Sequence, residues 1–193
     1  MADGVSATET AILDAARDEV LAHGIRKTTA SDIARRCGIS RQTFYRYWPD
    51  AQAVFAALVT RELVAVLPVG SAPPRTLDDL VAMFVTTADG IRSMPLVDRL
   101  RETDPELFGR YVLSRLGRSQ RAIVGEAARR IADAQRRGLV RDGDPERLAA
   151  MVLLIAQSAV LSGSLVSEWV PSDAWTAELA HALHGYLAPG GAA

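Results

Sequence analysis

Between Thr28 and Trp48 the chain reads TTASDIARRCGISRQTFYRYW, two short helical patterns joined at a single glycine, Gly38. Helices this short do not stand alone in water, so both must share a core with a further element. The first pattern has Thr29 and Asp32 at capping-box spacing and turns Ala30, Ile33, Ala34 and Cys37 to one side. Gly38 stops it, and Ser40 caps the second. There Phe44 and Trp48 lie four apart on an inner face. At about 100° per residue, Gln42, Thr43 and Arg46 point away from that face, flanked by Arg41, Tyr45 and Tyr47. The pattern is that of a helix-turn-helix whose second helix suits a DNA major groove. Arg grips guanine, Gln reads adenine, and Thr or Tyr meets thymine methyls or phosphates. The Thr28 and Thr29 hydroxyls and the free N–H groups beside them suit a phosphate, or serve as a cap alone.

Charge is distributed to match. The 193 residues carry 22 basic and 23 acidic side chains. Between Arg26 and Tyr47 stand Arg26, Lys27, Arg35, Arg36, Arg41 and Arg46 against Asp32 alone, leaving an acidic remainder. Lys27 is the only lysine, so the arginine excess reflects composition as much as phosphate binding.

The rest reads as all helix, about nine in total. Ile12, Ala16 and Val20 share one face of a first helix from Thr8 to Ala22, followed by Gly24. Asp50 caps a fourth, carrying Val54, Phe55, Leu58 and Leu63. Pro68–Pro74 is a Pro/Gly/Ser-rich break, either a domain boundary or a turn between helices. A fifth helix begins at Leu77; Asp104-Pro105-Glu106 and Asp144-Pro145-Glu146 are matching helix starts. Gly138 ends an Arg-rich helix, and a last one runs from Pro171-Ser172-Asp173 through Leu187. The expected division is a three-helix DNA-binding domain over 1–50, helix four over 51–67 as a link, and a second helical domain over 68–193.

The segment TTASDIARRCGISRQTFYRYWPDAQAVFAALV resembles the DNA-binding signature of the TetR family of transcriptional regulators. Thr opens helix two, Ile33-Ala34 packs its core, Gly38-Ile39-Ser40 makes the turn, and Thr43-Phe44-Tyr45 begins the reading surface. Tyr47 and Trp48 match the family's aromatic pair, with Trp where Phe is common. On this resemblance the DNA-binding residues are Lys27, Thr28, Thr29, Ser40, Arg41, Gln42, Thr43, Tyr45, Arg46 and Tyr47. One departure stands out: the family's Lys-Glu pair at the start of helix four is Ala51-Gln52 here. The resemblance thus implies one phosphate contact fewer, with Arg46, Tyr47 or Lys27 carrying more of the load. It also implies a homodimer on near-palindromic double-stranded operator DNA, repression, and release by a small-molecule effector.

For the second domain the resemblance implies an effector pocket. Met83, Phe84, Met94, Phe108, Tyr111, Ile123 and Trp169 would line it, with Gln157 as a polar group; the same side chains also suit an ordinary core. No ring of charges points to a strongly ionic ligand. Helix eight, LAAMVLLIAQSAVLSGSLVSEW, is apolar nearly all round and must be covered on more than one face. Helices eight and nine thus read as half of a four-helix dimer interface through Leu154, Ser158, Leu161, Leu165, Leu179, Leu183 and Tyr186. Gln157, buried on either account, needs a partner: ligand, second subunit or backbone.

Other chemistry finds little support. His181 and His184 lie three apart with Glu178 the one near carboxylate, too little for a metal site. No nucleotide-binding or hydrolase motif is present, so neither an enzyme nor a cofactor is expected. Cys37, the single cysteine, reads as a structural thiol in a reduced cytoplasm. The N-terminus has no basic and apolar signal pattern. Leu148–Val170, interrupted by Gln157, four serines, Gly163 and Glu168, reads as too broken to span a membrane. The alternative to an effector-controlled regulator is a helical protein that binds nucleic acid nonspecifically, without an effector.

Overall fold

A computed structural model describes residues 6–103, 106 and 117–190. Nine α-helices and two short 3-10 turns are delineated among them, and no strand. The helices are α1 (Ala7–His23), α2 (Ala30–Cys37), α3 (Arg41–Tyr47), α4 (Ala51–Ala65), α5 (Leu77–Arg92), α6 (Pro95–Thr103), α7 (Arg118–Gln135), α8 (Pro145–Ser162) and α9 (Ser172–Leu187). Contacts divide them into two compact units. One takes the described residues up to Ala65 and those between Met94 and Ser119; the other takes Val66–Ser93 and those from Gln120 onward.

The first unit is built around α1. A capping box starts that helix: Ser6 Oγ accepts from the Glu9 N–H (3.1 Å), and the Glu9 carboxylate accepts from the Ser6 N–H (2.8 Å). Its apolar stripe, Ile12, Leu13, Ala16 and Val20, packs on Ile33 and Ala34 of α2, Phe44 of α3, and Val54, Phe55 and Leu58 of α4. Each large side chain so buried contributes about 1.5–3 kcal/mol. Helix α6, which no sequence signal announced, adds Leu96 and Leu100 to this core. The helix start expected at Asp104-Pro105 lies outside the described residues. Gly38 takes a left-handed conformation (φ 71°), which lets the Ile39 N–H reach back to the Ala34 carbonyl at 3.0 Å and closes α2.

The second unit packs α5, α7, α8 and α9 around Leu80, Val81, Ile131, Leu148, Val152, Trp175, Leu183 and Leu187. Asp144 caps α8 as expected, accepting from the N–H groups of Glu146 (2.8 Å) and Arg147 (3.1 Å), with Pro145 in the first turn. Arg130 on α7 is 2% exposed. Its guanidinium donates to Glu126 (2.7 Å), to Ser71 Oγ (2.9 Å) and to the Pro68 carbonyl, pinning the Pro/Gly-rich break to α7. Losing one member of a buried charged pair costs about 3–5 kcal/mol, far more than the net worth of the pair.

The bilayer expectation needs correction. Pro145–Val166 is long and apolar enough to cross a membrane, with a window of mean hydropathy 2.0. Serines and Gln157 are too weakly polar to offset the leucines, valines and alanines around them. Its inner residues Leu148, Ala149 and Val152 belong to the unit's core, and its other face is taken up below.

Candidate nucleic-acid interface

Helix α3 is anchored by Phe44, which is fully buried. The Ser40 cap accepts from the Thr43 N–H at 3.0 Å, and the two hydroxyls meet at 2.9 Å. With one face locked, Arg41, Gln42, Tyr45 and Arg46 stand exposed. Tyr45 meets Phe44 edge-on at 5.5 Å between ring centroids. The Arg46 guanidinium lies 5.2 Å over the ring of Tyr47, which is half-buried against the core. The Tyr47 phenol sits below its usual pKa, chiefly because the Thr8 hydroxyl and then Arg46 bond to it.

The opening of α2 differs from expectation at one residue. Thr28 is buried, and its hydroxyl donates to the Gly24 carbonyl at 2.9 Å, so it is not offered to a phosphate. A carbonyl buried where the chain leaves α1 needs such a donor. Thr29 is exposed; its hydroxyl donates to Asp32 at 2.6 Å and accepts from the Asp32 N–H at 3.3 Å. Asp32 is held below the usual carboxylate range, first by Thr29 and then by Arg35.

The basic cluster is partly neutralised. Arg35 pairs with Asp32 at 2.7 Å, Arg36 with the buried Glu19 at 2.7 Å, and Arg26 with Glu106 at 3.4 Å. Lys27, Arg41 and Arg46 have no carboxylate partner among the described residues. Sequence reasoning counted Asp32 and missed Glu19, because the partner comes from another helix. The Cys37 thiol is pushed up by burial, as suits a packing residue.

A profile of the bacterial regulatory proteins of the tetR family matches residues 12–58. An HTH-type transcriptional regulator of Mycobacterium bovis is 42% identical over 176 residues, covering 91% of this chain and 92% of that protein. The chain belongs to the TetR family of transcriptional regulators. Among solved TetR-type folds, the R. erythropolis transcriptional repressor QsdR aligns with TM-score 0.69 at 14% identity over 96% of this chain and 97% of that one. FadR from Bacillus subtilis, solved with stearoyl-CoA, aligns with TM-score 0.62 at 12% identity over 90% and 96%. At such identities the likeness concerns the fold alone. This TetR-family chain is thus a DNA-binding regulator with an N-terminal helix-turn-helix.

The second unit holds the remaining candidates. Met83 and Phe84 are half-buried on α5, Phe84 against the core, and Ile123 is half-buried on α7. Met94 belongs to the first unit. Phe108 and Tyr111 lie outside the described residues. Gln157 is half-buried, and its carbonyl accepts from the Gln120 side chain at 3.3 Å, a partner not among the three considered. Trp169 is 73% exposed, so it lines no interior; it lies just beyond the 3-10 turn (Gly163–Val166) that follows α8. A groove of about 350 Å³ runs between α8, that turn and α9, bordered by Ile155, Ala159, Val166, Val170 and Trp175 and by none of the expected pocket residues.

The expected subunit-contact residues divide. Leu154 and Leu165 are 56% and 78% exposed, Ser158 is exposed, and Leu161 and Tyr186 are half-buried. Leu179 and Leu183, at 4% and 0%, fill the unit's own core and are corrected to intramolecular residues. With Trp175 and Leu187 they form a four-residue repeat that faces inward. Met151 and Val166 join the exposed apolar set; their helical spacing with Leu154 and Leu165 was the available signal. His181 is exposed and His184 lies 3.3 Å from Asp78. No cluster of three or more metal-ligating side chains occurs among the described residues.

Proposed function

We propose that this regulator is a repressor that binds a near-palindromic operator as a homodimer and leaves it when a small, largely apolar effector enters the second unit. Residues 1–50 bind DNA on a core that α4 and α6 complete, and Val66–Ser93 with the residues from Gln120 onward take the effector and the second subunit. The observation that carries the reading is α3 itself: a helix locked by Phe44 that presents Arg41 and Gln42, both exposed, at its first turn. The homodimer is supported by the uncovered apolar stripe of Met151, Leu154 and Leu165 on and just after α8. The effector class is supported by the weakly polar half-buried set of Met83, Phe84, Ile123 and Gln157. An effector shifts the DNA-binding equilibrium only by its differential affinity for the two states. The setting is the cytoplasm, where the DNA is.

Footprinting on the protein's own upstream DNA tests the proposal. The expected result is a protected inverted repeat with half-sites about one helical turn apart or a multiple of it. Protection without two-fold symmetry, spread along the duplex, would favour nonspecific nucleic-acid binding and contradict it.

A further inference from the structure

Three of the basic residues in the helix-turn-helix are already paired: Arg26, Arg35 and Arg36. The cations left over are Lys27, Arg41 and Arg46, and α3 sets the last two apart. Arg41 opens the helix beside Gln42; Arg46 lies in its last turn. At about 1.5 Å of rise per residue, Arg46 stands about 7.5 Å farther along the axis. Residues at the start of a recognition helix are the ones that reach base edges.

Arg46 is also held differently. Its guanidinium lies 5.2 Å over Tyr47, and that ring is packed against the core of the first unit. A guanidinium held over a fixed ring surrenders little freedom on meeting an anion. At the neighbouring start of α4, Ala51 and Gln52 offer no charge, and Asp50 is engaged as the cap, accepting from the Ala53 N–H at 2.7 Å. From the last turn of α3 through the first turn of α4, Arg46 is therefore the one basic residue.

We propose that Arg46, seated on Tyr47, grips an operator phosphate in place of the lysine absent at position 51, while Arg41 and Gln42 carry the base reading. Tyr47 is a positioning residue that acts through Arg46. The assignment rests on the DNA-binding reading of the same surface and divides its labour.

The test uses the full-length protein and a duplex it selects from a random-sequence pool, with binding measured over a salt series against random duplex. Arg46→Ala should weaken both complexes alike. Its salt slope should fall by about 1.8 for two phosphates per dimer, with the operator-to-random ratio within about twofold of wild type. Arg46→Lys should restore the slope. Tyr47→Ala should lower affinity on both duplexes and add little to Arg46→Ala. Arg41→Ala should instead cut the operator-to-random ratio about tenfold or more. A ratio that collapses in Arg46→Ala with an unchanged slope overturns the assignment alone. A wild-type protein that selects no sequence overturns the DNA-reading surface and this assignment with it.

Discussion

The two units use their surfaces in opposite ways. In the first, each helix turns its apolar side to a closed core, and α3 leaves mainly polar groups outside, Arg41, Gln42, Arg46 and the phenol-bearing Tyr45, with Val64 on α4 an exposed aliphatic side chain. In the second, the core is closed just as well, yet α8 and the turn after it leave Met151, Leu154, Leu165, Val166 and Trp169 exposed. A polar surface on a rigid helix is complete when it meets DNA. An uncovered apolar stripe is incomplete until another surface covers it. One unit turns a polar helix outward, and the other leaves an apolar stripe uncovered.

The comparison breaks first at the cores. Phe44→Ala should cost about 3–5 kcal/mol and Leu183→Ala about 2–5 kcal/mol in urea unfolding. Losses under 1 kcal/mol at either site would mean the helix above it is not anchored as described. The outer stripe should behave in the reverse way. Leu165→Asp should change chain stability within about 0.5 kcal/mol but weaken self-association by about 2 kcal/mol or more, read by sedimentation. A variant that still sediments as a dimer at wild-type concentrations would show that the stripe faces something else.

Smaller changes sharpen the picture. Thr29→Ala removes the cap of α2 and should cost about 1 kcal/mol, while leaving association of the second unit untouched. Acid should act unequally. Asp32 in the first unit, and Asp79, Glu126 and Asp144 in the second, are held below the usual carboxylate range. Arg129 is the leading cause for Glu126, while N–H groups at helix starts lead for Asp79 and Asp144. A lowered folded pKa gives stability that is complete above the unfolded value and lost as pH falls through the folded one. Below about pH 4 the second unit, with more such groups, should loosen before the first in hydrogen exchange. Simultaneous loss would contradict that ordering.

Much of the first unit was legible because its determinants are local. The Thr29–Asp32 box, the Gly38 stop, the Ser40 cap and the inward Phe44 all lie within a few residues of what they act on. What escaped was non-local. Thr28 serves a carbonyl at the end of α1, and Glu19 neutralises Arg36 from seventeen residues earlier. The start of α6 at Pro95 has no strong cap signal, and its contribution shows only in the packed core. In the second unit, helical spacing revealed stripes on α8 and α9 without saying which face each turned inward. Leu179 and Leu183 therefore went to the wrong side, and Trp169 was taken for an interior residue. A ligand cavity or subunit contact draws on side chains scattered over many helices, and no short pattern records them.

The central claim is that α3 reads sequence. Competition binding at physiological salt between the selected inverted repeat and random duplex tests it most directly. The expected preference for the repeat is about a thousandfold or more, reduced by Arg41→Ala. Equal affinity for the two duplexes would contradict it.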